Sequence, residues 1–216
     1  MKTAMIFAAG RGERLRPLTD QRPKALFEVS GIPLIERHVR NLAEAGFERA
    51  IINLAHLGDQ IRRHFEQRGS FGVELIYSAE PPGALETAGA IVNAGALLGN
   101  EAFITINADI LTNYRFSDLL LPDHSNAHIV LVNKNNYIPG NFSLDQQHIV
   151  HNEPRDLIFT GIAAYHPRLF KDQPVGRYSI TPILRSLAQK QQLTGEYFNG
   201  EWADLGTFTN SLPRLR

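Results

Sequence analysis

The chain has 216 residues, no cysteine, and 22 acidic and 22 basic side chains. The neutral balance argues against nucleic acid as the main partner, because domains that bind it usually carry a net basic face. The missing thiols exclude a disulfide framework and a thiolate metal site, and no apolar run reaches the eighteen residues of a membrane span. The apolar run at the N-terminus is short and leads into charged residues, which predicts a buried strand and not a signal peptide. We therefore expect a cytoplasmic protein.

Strand and helix patterns alternate through the first half of the chain. Short apolar runs that end in turn residues predict buried strands at Thr3–Phe7, Ala50–Leu54, Val73–Tyr77 and Phe103–Asn107. Apolar residues at helical spacing predict helices between them at Pro33–Ala45, Asp59–Gln67 and Glu86–Leu98. This α/β alternation predicts a mostly parallel central sheet with helices on both faces, where ligands lie beyond the carboxyl ends of the strands.

The second half of the chain is less regular. Apolar runs predict strands at His128–Val132 and Leu157–Tyr165. Asn141–Leu144 and His148–Val150 flank a short polar turn, which indicates a hairpin. Ile180–Gln192 is amphipathic and is predicted to be helical. No repeat, low-complexity tract or linker divides the chain, so we expect a single domain.

The first predicted strand runs into a loop that is rich in glycine and arginine, FAAGRGERLRPLT at residues 7–19, with Pro23 and Lys24 beyond it. Glycines let the backbone approach a polyphosphate, and Arg14 and Lys24 can neutralise its charge. A dinucleotide fingerprint would need a third glycine where Leu15 stands, and a Walker A loop would need Gly-Lys-Ser/Thr, so both are rejected. The remaining alternative is an ordinary strand-to-helix turn with surface arginines.

The string A-A-G-x-G-x-R-L-x-P-L-T followed by P-K resembles the signature of the sugar-1-phosphate nucleotidyltransferases. The resemblance covers essentially the whole chain. It implies a Rossmann-like nucleotide-diphospho-sugar transferase fold, Mg²⁺ as cofactor, and a nucleoside triphosphate and a sugar 1-phosphate as substrates. It also implies one nucleotidyltransferase domain over residues 1–216, with nucleotide bound by the first half and sugar and metal by the second. Lys24 and Arg14 would be catalytic. The implied nucleotide-binding residues are Ala8, Ala9, Gly10, Arg11, Gly12, Arg14, Lys24, Asn53, Glu80, Glu86, Thr87, Gly89 and Asn107.

The segment from Glu80 to Gly89 resembles the part of the family that lines the nucleobase and ribose. Small residues at Ala88 and Gly89 would let a flat base lie against the start of the helix. Glu80 would accept a hydrogen bond from an N–H of uracil or of guanine. The alternative is a plain helix N-terminus capped by a local acidic residue.

Two aspartates are candidate metal ligands, since Mg²⁺ prefers one or two carboxylates together with phosphate oxygens. Asp109 follows the strand that ends at Asn107. Asp204 lies in the segment WADLGT (residues 202–207), which resembles the W-x-D-x-G-T element of the family. The family usually has glycine before the first aspartate, so Ala108 is a departure. The alternative for each aspartate is a helix cap, beside a buried Trp202 in the second case.

Within the family the chain is similar to the short bacterial N-acetylmuramic acid 1-phosphate uridylyltransferases of cell-wall recycling. The segments that carry this similarity are 52–58, 77–80 and 159–162. It favours UTP and N-acetylmuramic acid 1-phosphate as substrates, and we expect a monomer or weak dimer. Arg155 lies where longer members commonly have a lysine, and is predicted to replace that charge or to contact the lactyl carboxylate. The positions that resemble the sugar site are Asn141, Glu153, Thr160 and Gly161.

Three other functions stay open at this point. One is a guanylyltransferase or thymidylyltransferase that acts on another hexose 1-phosphate. Another is a non-catalytic nucleotide-sugar-binding regulatory protein, against which the retention of Lys24, Asp109 and Asp204 argues. The third is an α/β module that binds a protein partner. For a transferase no general base is needed, because a phosphate monoester has its second pKa near ~6 and is already anionic.

Overall fold

The computed structural model describes residues 1–135 and 138–206. Its strands, in chain order, are β1 (Thr3–Phe7), β2 (Glu28–Val29), β3 (Ile32–Pro33), β4 (Arg49–Leu54), β5 (Glu74–Ala79), β6 (Phe103–Asn107), β7 (Ile110–Thr112), β8 (Ala127–Asn133), β9 (Ser143–Leu144), β10 (Val150–His151), β11 (Leu157–Tyr165), β12 (Thr194–Tyr197) and β13 (Trp202–Asp204). Its α-helices are α1 (Leu18–Gln21), α2 (Leu34–Glu44), α3 (Gly58–Arg68), α4 (Glu86–Asn93), α5 (Gly95–Leu98) and α6 (Thr181–Gln189).

The central sheet has the order β12-β8-β11-β6-β1-β4-β5 in the described part of the chain. Strand β11 runs antiparallel to both of its neighbours, and the other adjacent pairs are parallel. The predicted mostly parallel α/β sheet is therefore confirmed. Because β6, β1 and β4 are parallel neighbours, their carboxyl ends share one edge, where Asn107, Phe7 and Asn53 lie in register.

Helices cover both faces of this sheet, as the alternating side chains of the strands require. In β1, Ala4 and Ile6 pack in one apolar cluster with residues of α2 and α3. Met5 lies between them and packs in the opposite cluster with residues of α4, α5 and α6. All three side chains are fully buried, so neither face of β1 is open to solvent.

The structure differs from the sequence prediction at several elements. The helix predicted at Glu86–Leu98 is two helices: α4 ends at Asn93, and α5 begins at Gly95 after the single residue Ala94. Strands β2, β3, β7, β12 and β13 have no counterpart in the prediction, and Pro33, predicted as helical, ends β3. The predicted hairpin is confirmed as the antiparallel pair β9–β10. In the described ranges, no helix is both long enough and apolar enough to cross a lipid bilayer.

Candidate active site

The loop after β1 has a shape that depends on glycine. Gly12 has a φ of 67°, in the left-handed region, and a Cβ there would lie 2.9 Å from Cγ2 of Thr19. Glycine is therefore favoured at residue 12 both by the backbone angle and by the contact with Thr19. The Thr19 hydroxyl donates to the Gly12 carbonyl at 3.0 Å and fixes the loop on α1. A Cβ at Gly10 would meet nothing within 4 Å, so the backbone is accessible there.

The three arginines of this loop, Arg11, Arg14 and Arg16, are exposed. Arg11 forms ion pairs with Glu13 at 3.2 Å and with Asp20 at 3.4 Å. Arg14 lines a cavity of about 320 Å³ together with Gly12, Lys24 and other residues of the site. The two predicted phosphate-binding arginines are thus placed differently: Arg11 pairs with Glu13 of the loop and Asp20 of α1, and Arg14 lines the smaller cavity beside Lys24.

Lys24 lies between the two aspartates of the predicted metal site and forms ion pairs with both. The side chain is buried, and its Nζ lies 2.5 Å from Oδ2 of Asp109 and 4.0 Å from Oδ1 of Asp204. Asp109 follows β6 at the carboxyl edge of the sheet, two residues beyond Asn107. Two aspartates that are far from Lys24 in sequence, and were predicted to act with it, therefore both lie within ion-pair distance of its ammonium.

The pairing of β7 with β13 holds Asp204 beside Asp109. Asp204 is in register with Ile110, and Leu205 N–H donates to the Asp109 carbonyl at 3.1 Å. Gly206 N–H donates to Oδ1 of Asp204 at 2.6 Å. The sequence interpretation missed the importance of Gly206: a Cβ there would lie 2.1 Å from Nζ of Lys24 and 2.8 Å from Oδ1 of Asp204. Thr207, the last residue of this motif, lies outside the described residues.

The electrostatics of the two aspartates suit a divalent cation. Burial raises the pKa of Asp204, and the negative charge of Asp109 raises it further, against the opposing charges of Lys24 and Arg14. A cation bound between the carboxylates would relieve their repulsion. In the parts of the chain that the structure describes, His, Asp and Glu do not form a cluster of three or more able to hold a metal. The two aspartates therefore fit a hard cation that takes its remaining ligands from phosphate oxygens or water.

His38 lies close to the predicted metal site but is not one of its predicted ligands. Burial lowers its pKa to about 4, although the Asp109 carboxylate acts in the opposite direction. The ring is therefore neutral at pH 7 and packs near Phe116, with the ring centres 6.3 Å apart. This position makes His38 part of the apolar support beneath the site.

A chain of three hydrogen bonds connects the glycine-rich loop after β1 to the predicted base site. Ala8 N–H donates to Oδ1 of Asn53 at 2.7 Å, and Nδ2 of Asn53 donates to Oε1 of Glu80 at 2.7 Å. Oε2 of Glu80 accepts the N–H of Leu85, also at 2.7 Å. Glu80 thus accepts the N–H of the residue just before α4, but within the described residues no side chain caps the first turn of that helix. The Glu80 carboxylate also lines the larger cavity and can accept further hydrogen bonds, because each oxygen has two lone pairs.

The larger cavity has a volume of about 820 Å³ and adjoins the smaller one, since Phe7, Gly10, Glu13 and Asp109 line both. Most of the other predicted nucleotide-binding residues line one or both. Those on the larger cavity are Ala9, Gly10, Arg11, Asn53, Glu80, Glu86, Thr87 and Asn107. Ala8 and the departure from the family pattern, Ala108, line the smaller cavity. Ala108 is 2% exposed, and its methyl group packs in the apolar core.

Gly89 has a different role from the one predicted. It is buried, and a Cβ there would lie 2.0 Å from the carbonyl oxygen of Gly176. The space is therefore occupied by the backbone of the segment before α6 and not by a base. The N–H groups of Ala88 and Gly89 both donate to the Tyr178 carbonyl, at 3.1 and 3.2 Å, which leaves neither for a ligand.

The predicted sugar-binding side chains do not line these two cavities. The Thr160 hydroxyl is buried and donates to the Val130 carbonyl at 2.8 Å, and Asn141 Oδ1 accepts the N–H of Phe159 at 2.8 Å. Glu153 is exposed and pairs with Arg155 at 2.8 Å. Each of these side chains is therefore bound by a neighbouring residue of a strand or surface loop and does not reach either cavity.

Gly161 has a different relation to the cavity. A Cβ there would lie 2.4 Å from Nδ2 of Asn107, so glycine permits the close approach of an amide that lines the cavity. Arg155, predicted to replace a lysine or to meet a carboxylate, is an exposed residue that lines neither cavity. The sequence interpretation also missed Arg177 and Ser179, which line the larger one.

Comparison with known proteins agrees with this geometry. The profile of the nucleotidyl transferase family matches residues 3–136. The chain is 41% identical to the N-acetylmuramate alpha-1-phosphate uridylyltransferase of Neisseria meningitidis serogroup B, over 94% of this chain and 93% of that protein. Identity to the N-acetylmuramate alpha-1-phosphate uridylyltransferase of Caulobacter vibrioides is 30%, over 95% and 92% of the two chains.

The fold is also found in solved structures. The crystal structure of HddC from Yersinia pseudotuberculosis is 24% identical and has a TM-score of 0.79, with 95% of this chain and 94% of that chain covered. At that identity the likeness shows the fold alone. The family profile and the two relatives together show that the chain belongs to the sugar-1-phosphate nucleotidyltransferases.

Proposed function

We propose that the protein transfers the uridylyl group of UTP to N-acetylmuramic acid 1-phosphate, which gives UDP-N-acetylmuramic acid and pyrophosphate, and that it serves peptidoglycan recycling. The observation that carries the proposal is the meeting of Lys24, Asp109 and Asp204 beside the glycine loop. The choice of substrates is supported by the identity of 41% to a protein named for this reaction.

The reaction is an in-line displacement at phosphorus. A phosphate oxygen of the sugar attacks the α-phosphorus of UTP, an oxygen–phosphorus bond forms, and the bond to the bridging oxygen of the pyrophosphate group breaks. No proton has to be removed, because the attacking monoester is already anionic above its second pKa of about 6. Catalysis then depends on positioning and on charge stabilisation, for which Lys24, Arg14 and the backbone N–H groups at Gly10 and Gly12 are suited.

Asp109 and Asp204 are assigned to Mg²⁺. When bound, the ion would neutralise charge on the phosphate oxygens during the transfer. The Lys24 ammonium lies against the same two carboxylates, so it stands beside the place proposed for the ion.

Glu80 is assigned to the recognition of uracil. An ionised carboxylate accepts hydrogen bonds and cannot donate them, so it favours the N3–H of uracil over the bare N3 of cytosine. Asn53 and Leu85 fix the two oxygens at 2.7 Å each, which holds the carboxylate in one orientation. The same chemistry accepts the N1–H of guanine, so GTP belongs in any test of the base.

The test is pyrophosphate release with Mg²⁺ and a grid of substrates. The triphosphates would be UTP, CTP, GTP and dTTP, and the sugar 1-phosphates those of N-acetylmuramic acid, N-acetylglucosamine, mannose and glucose. We expect release with UTP and N-acetylmuramic acid 1-phosphate to exceed every other pair, and to stop when EDTA removes the metal. Asp109→Asn is the inactive control. Preferred release with GTP and mannose 1-phosphate, or with dTTP and glucose 1-phosphate, would contradict the substrate assignment.

A further inference from the structure

The segment before α6 is fastened across the start of α4. The Tyr178 carbonyl accepts the N–H groups of Ala88 and Gly89, and Tyr178 N–H donates to the Leu85 carbonyl at 3.1 Å. Ile180 N–H donates to the Thr87 hydroxyl at 2.8 Å. Backbone hydrogen bonds on both sides of Ser179 therefore fix this segment, residues 176–180, in one position against the helix.

The fixed position of this segment places the guanidinium-bearing residue Arg177 at the larger cavity. Along the segment, Arg177 and Ser179 line the cavity, whereas Tyr178 packs against the apolar cluster on the other side. Nε of Arg177 lies 3.3 Å from Oε1 of Glu86, and the two side chains are 63% and 45% exposed. A guanidinium has five N–H donors, so Arg177 can keep Glu86 and still bind a second carboxylate.

The charges of the two substrates decide what Arg177 would meet. Arg14 and Lys24, the cations assigned to phosphate, line the smaller cavity, whereas Arg177 lines only the larger one. Arg11 also lines the larger cavity, but it pairs with two carboxylates, those of Glu13 and Asp20, whereas the ion pair of Arg177 is with one, that of Glu86. Uracil, ribose and the N-acetyl group are neutral. Apart from the phosphates, the anion of the proposed substrates is the lactyl carboxylate of N-acetylmuramic acid.

We propose that Arg177 binds this carboxylate and thereby selects N-acetylmuramic acid 1-phosphate over N-acetylhexosamine 1-phosphates that lack the lactyl group. The inference rests on the proposed function. Arginine suits the task because its planar fork matches a carboxylate with two parallel hydrogen bonds. Contact with the lactyl carboxylate, which the sequence suggested for Arg155, is thereby assigned to Arg177. Arg155 pairs with Glu153 and lines neither cavity.

The experiment compares two sugars that differ only in the lactyl ether. Calorimetry would give the Kd of N-acetylmuramic acid 1-phosphate and of N-acetylglucosamine 1-phosphate for enzyme saturated with Mg²⁺ and α,β-methylene-UTP, which cannot react. For Arg177→Gln we expect the Kd of the muramic sugar to rise about tenfold, as the loss of one charge-assisted hydrogen bond predicts. The Kd of the neutral sugar should not change. Arg177→Lys keeps the charge but loses the planar guanidinium. Its Kd for the muramic sugar should lie between those of the wild type and of Arg177→Gln.

Arg185→Gln is the matched control, because Arg185 is an exposed residue of α6 that lines neither cavity. An unchanged Kd in Arg177→Gln, or equal weakening of both sugars, would overturn the inference. So would a selective loss in Arg155→Gln with Arg177→Gln unaffected. Turnover by the wild type separates the two claims. If it uses the muramic sugar while Arg177→Gln binds normally, only this inference fails; if it does not use that sugar, the proposed function fails as well.

Discussion

Nζ of Lys24 lies 2.5 Å from Oδ2 of Asp109, although 85 positions separate the two residues in the chain. Lys24 is buried and Asp109 is part-exposed toward the smaller cavity. The ammonium therefore neutralises a carboxylate that is assigned to the metal. It also lies where the reacting phosphate is proposed to bind. This double position makes Lys24 the residue on which the proposed mechanism depends most.

Replacement of Lys24 by alanine should lower kcat by about 10²–10³-fold, the usual cost of losing one preorganised group that stabilises a developing charge. Steady-state pyrophosphate release at saturating UTP and sugar would measure it. Lys190→Ala, at an exposed position after α6, is the control and should keep the wild-type rate. A Lys24→Ala enzyme with near-normal kcat would refute the assignment.

Replacement of Gly206 by alanine should displace Lys24 without unfolding the protein. The new Cβ would lie 2.1 Å from Nζ of Lys24, and the flexible end of that side chain can move away at little cost in stability. We expect kcat to fall by about tenfold or more, because small displacements of catalytic groups are costly, with the melting temperature nearly unchanged. Gly95→Ala, where nothing lies within 4 Å of the new Cβ, should alter neither quantity. Equal activity of the two variants would contradict the role given to Gly206.

Replacement of Glu80 by glutamine should weaken the preference for UTP over CTP. The amide would turn a donor toward Asn53 or Leu85, both of which already donate to Glu80, and it could donate to N3 of cytosine. We expect the ratio of kcat/KM for UTP and CTP to fall about tenfold, the size of one charged hydrogen bond. Glu74→Gln, on the exposed start of β5, is the control. An unaltered ratio would show that Glu80 does not select the base.

Glu36 should contribute stability that depends on pH. Its buried carboxylate would have a raised pKa from burial alone, but hydrogen bonds from Arg40, Arg68 and His64 outweigh burial and hold the pKa below its ordinary value. Its stabilising contribution is therefore present above the unfolded-state pKa of 4.5 and is lost as pH falls through the lower folded-state value.

Urea unfolding would measure this contribution. At pH 7, Glu36→Gln should lower the free energy of unfolding by about 1–3 kcal/mol, because His64 and two partly exposed arginines lose a charged acceptor. The difference from wild type should narrow as the pH falls below 4.5. The exposed Glu44 of the same helix gives the control, Glu44→Gln. A difference that stays constant from pH 7 to pH 3 would contradict the argument.

Local sequence patterns predicted the sheet well because its inner strands are apolar and bounded by turn residues. The bounds predicted for Thr3–Phe7, Phe103–Asn107 and Leu157–Tyr165 are those observed. Strands β7 and β13 escaped prediction because each has three residues and becomes a strand only through pairing with a partner about ninety positions away. Periodicity carries no information about such distant pairing.

The residues of the candidate site also fall into two groups, those that local motifs predict and those that depend on contacts between distant segments. Motif spacing predicted the glycine loop together with Lys24, Asp109 and Asp204, and the structure brings them to one edge of the sheet, while their roles stay predictions. Gly89 and Thr160 were given ligand roles, but backbone contacts with other segments occupy them. Arg177 was missed because the hydrogen bonds that place it in the cavity, made by Tyr178 and Ile180 with residues at the start of α4, join segments that are far apart in the chain.

The most direct test of the central claim follows the α-phosphorus of UTP. With UTP labelled with ³²P at that position, N-acetylmuramic acid 1-phosphate and Mg²⁺, we predict that the label moves entirely into UDP-N-acetylmuramic acid and that the pyrophosphate is unlabelled. Label that stays in UTP with this sugar but moves with another sugar, or label that appears in pyrophosphate, would contradict it.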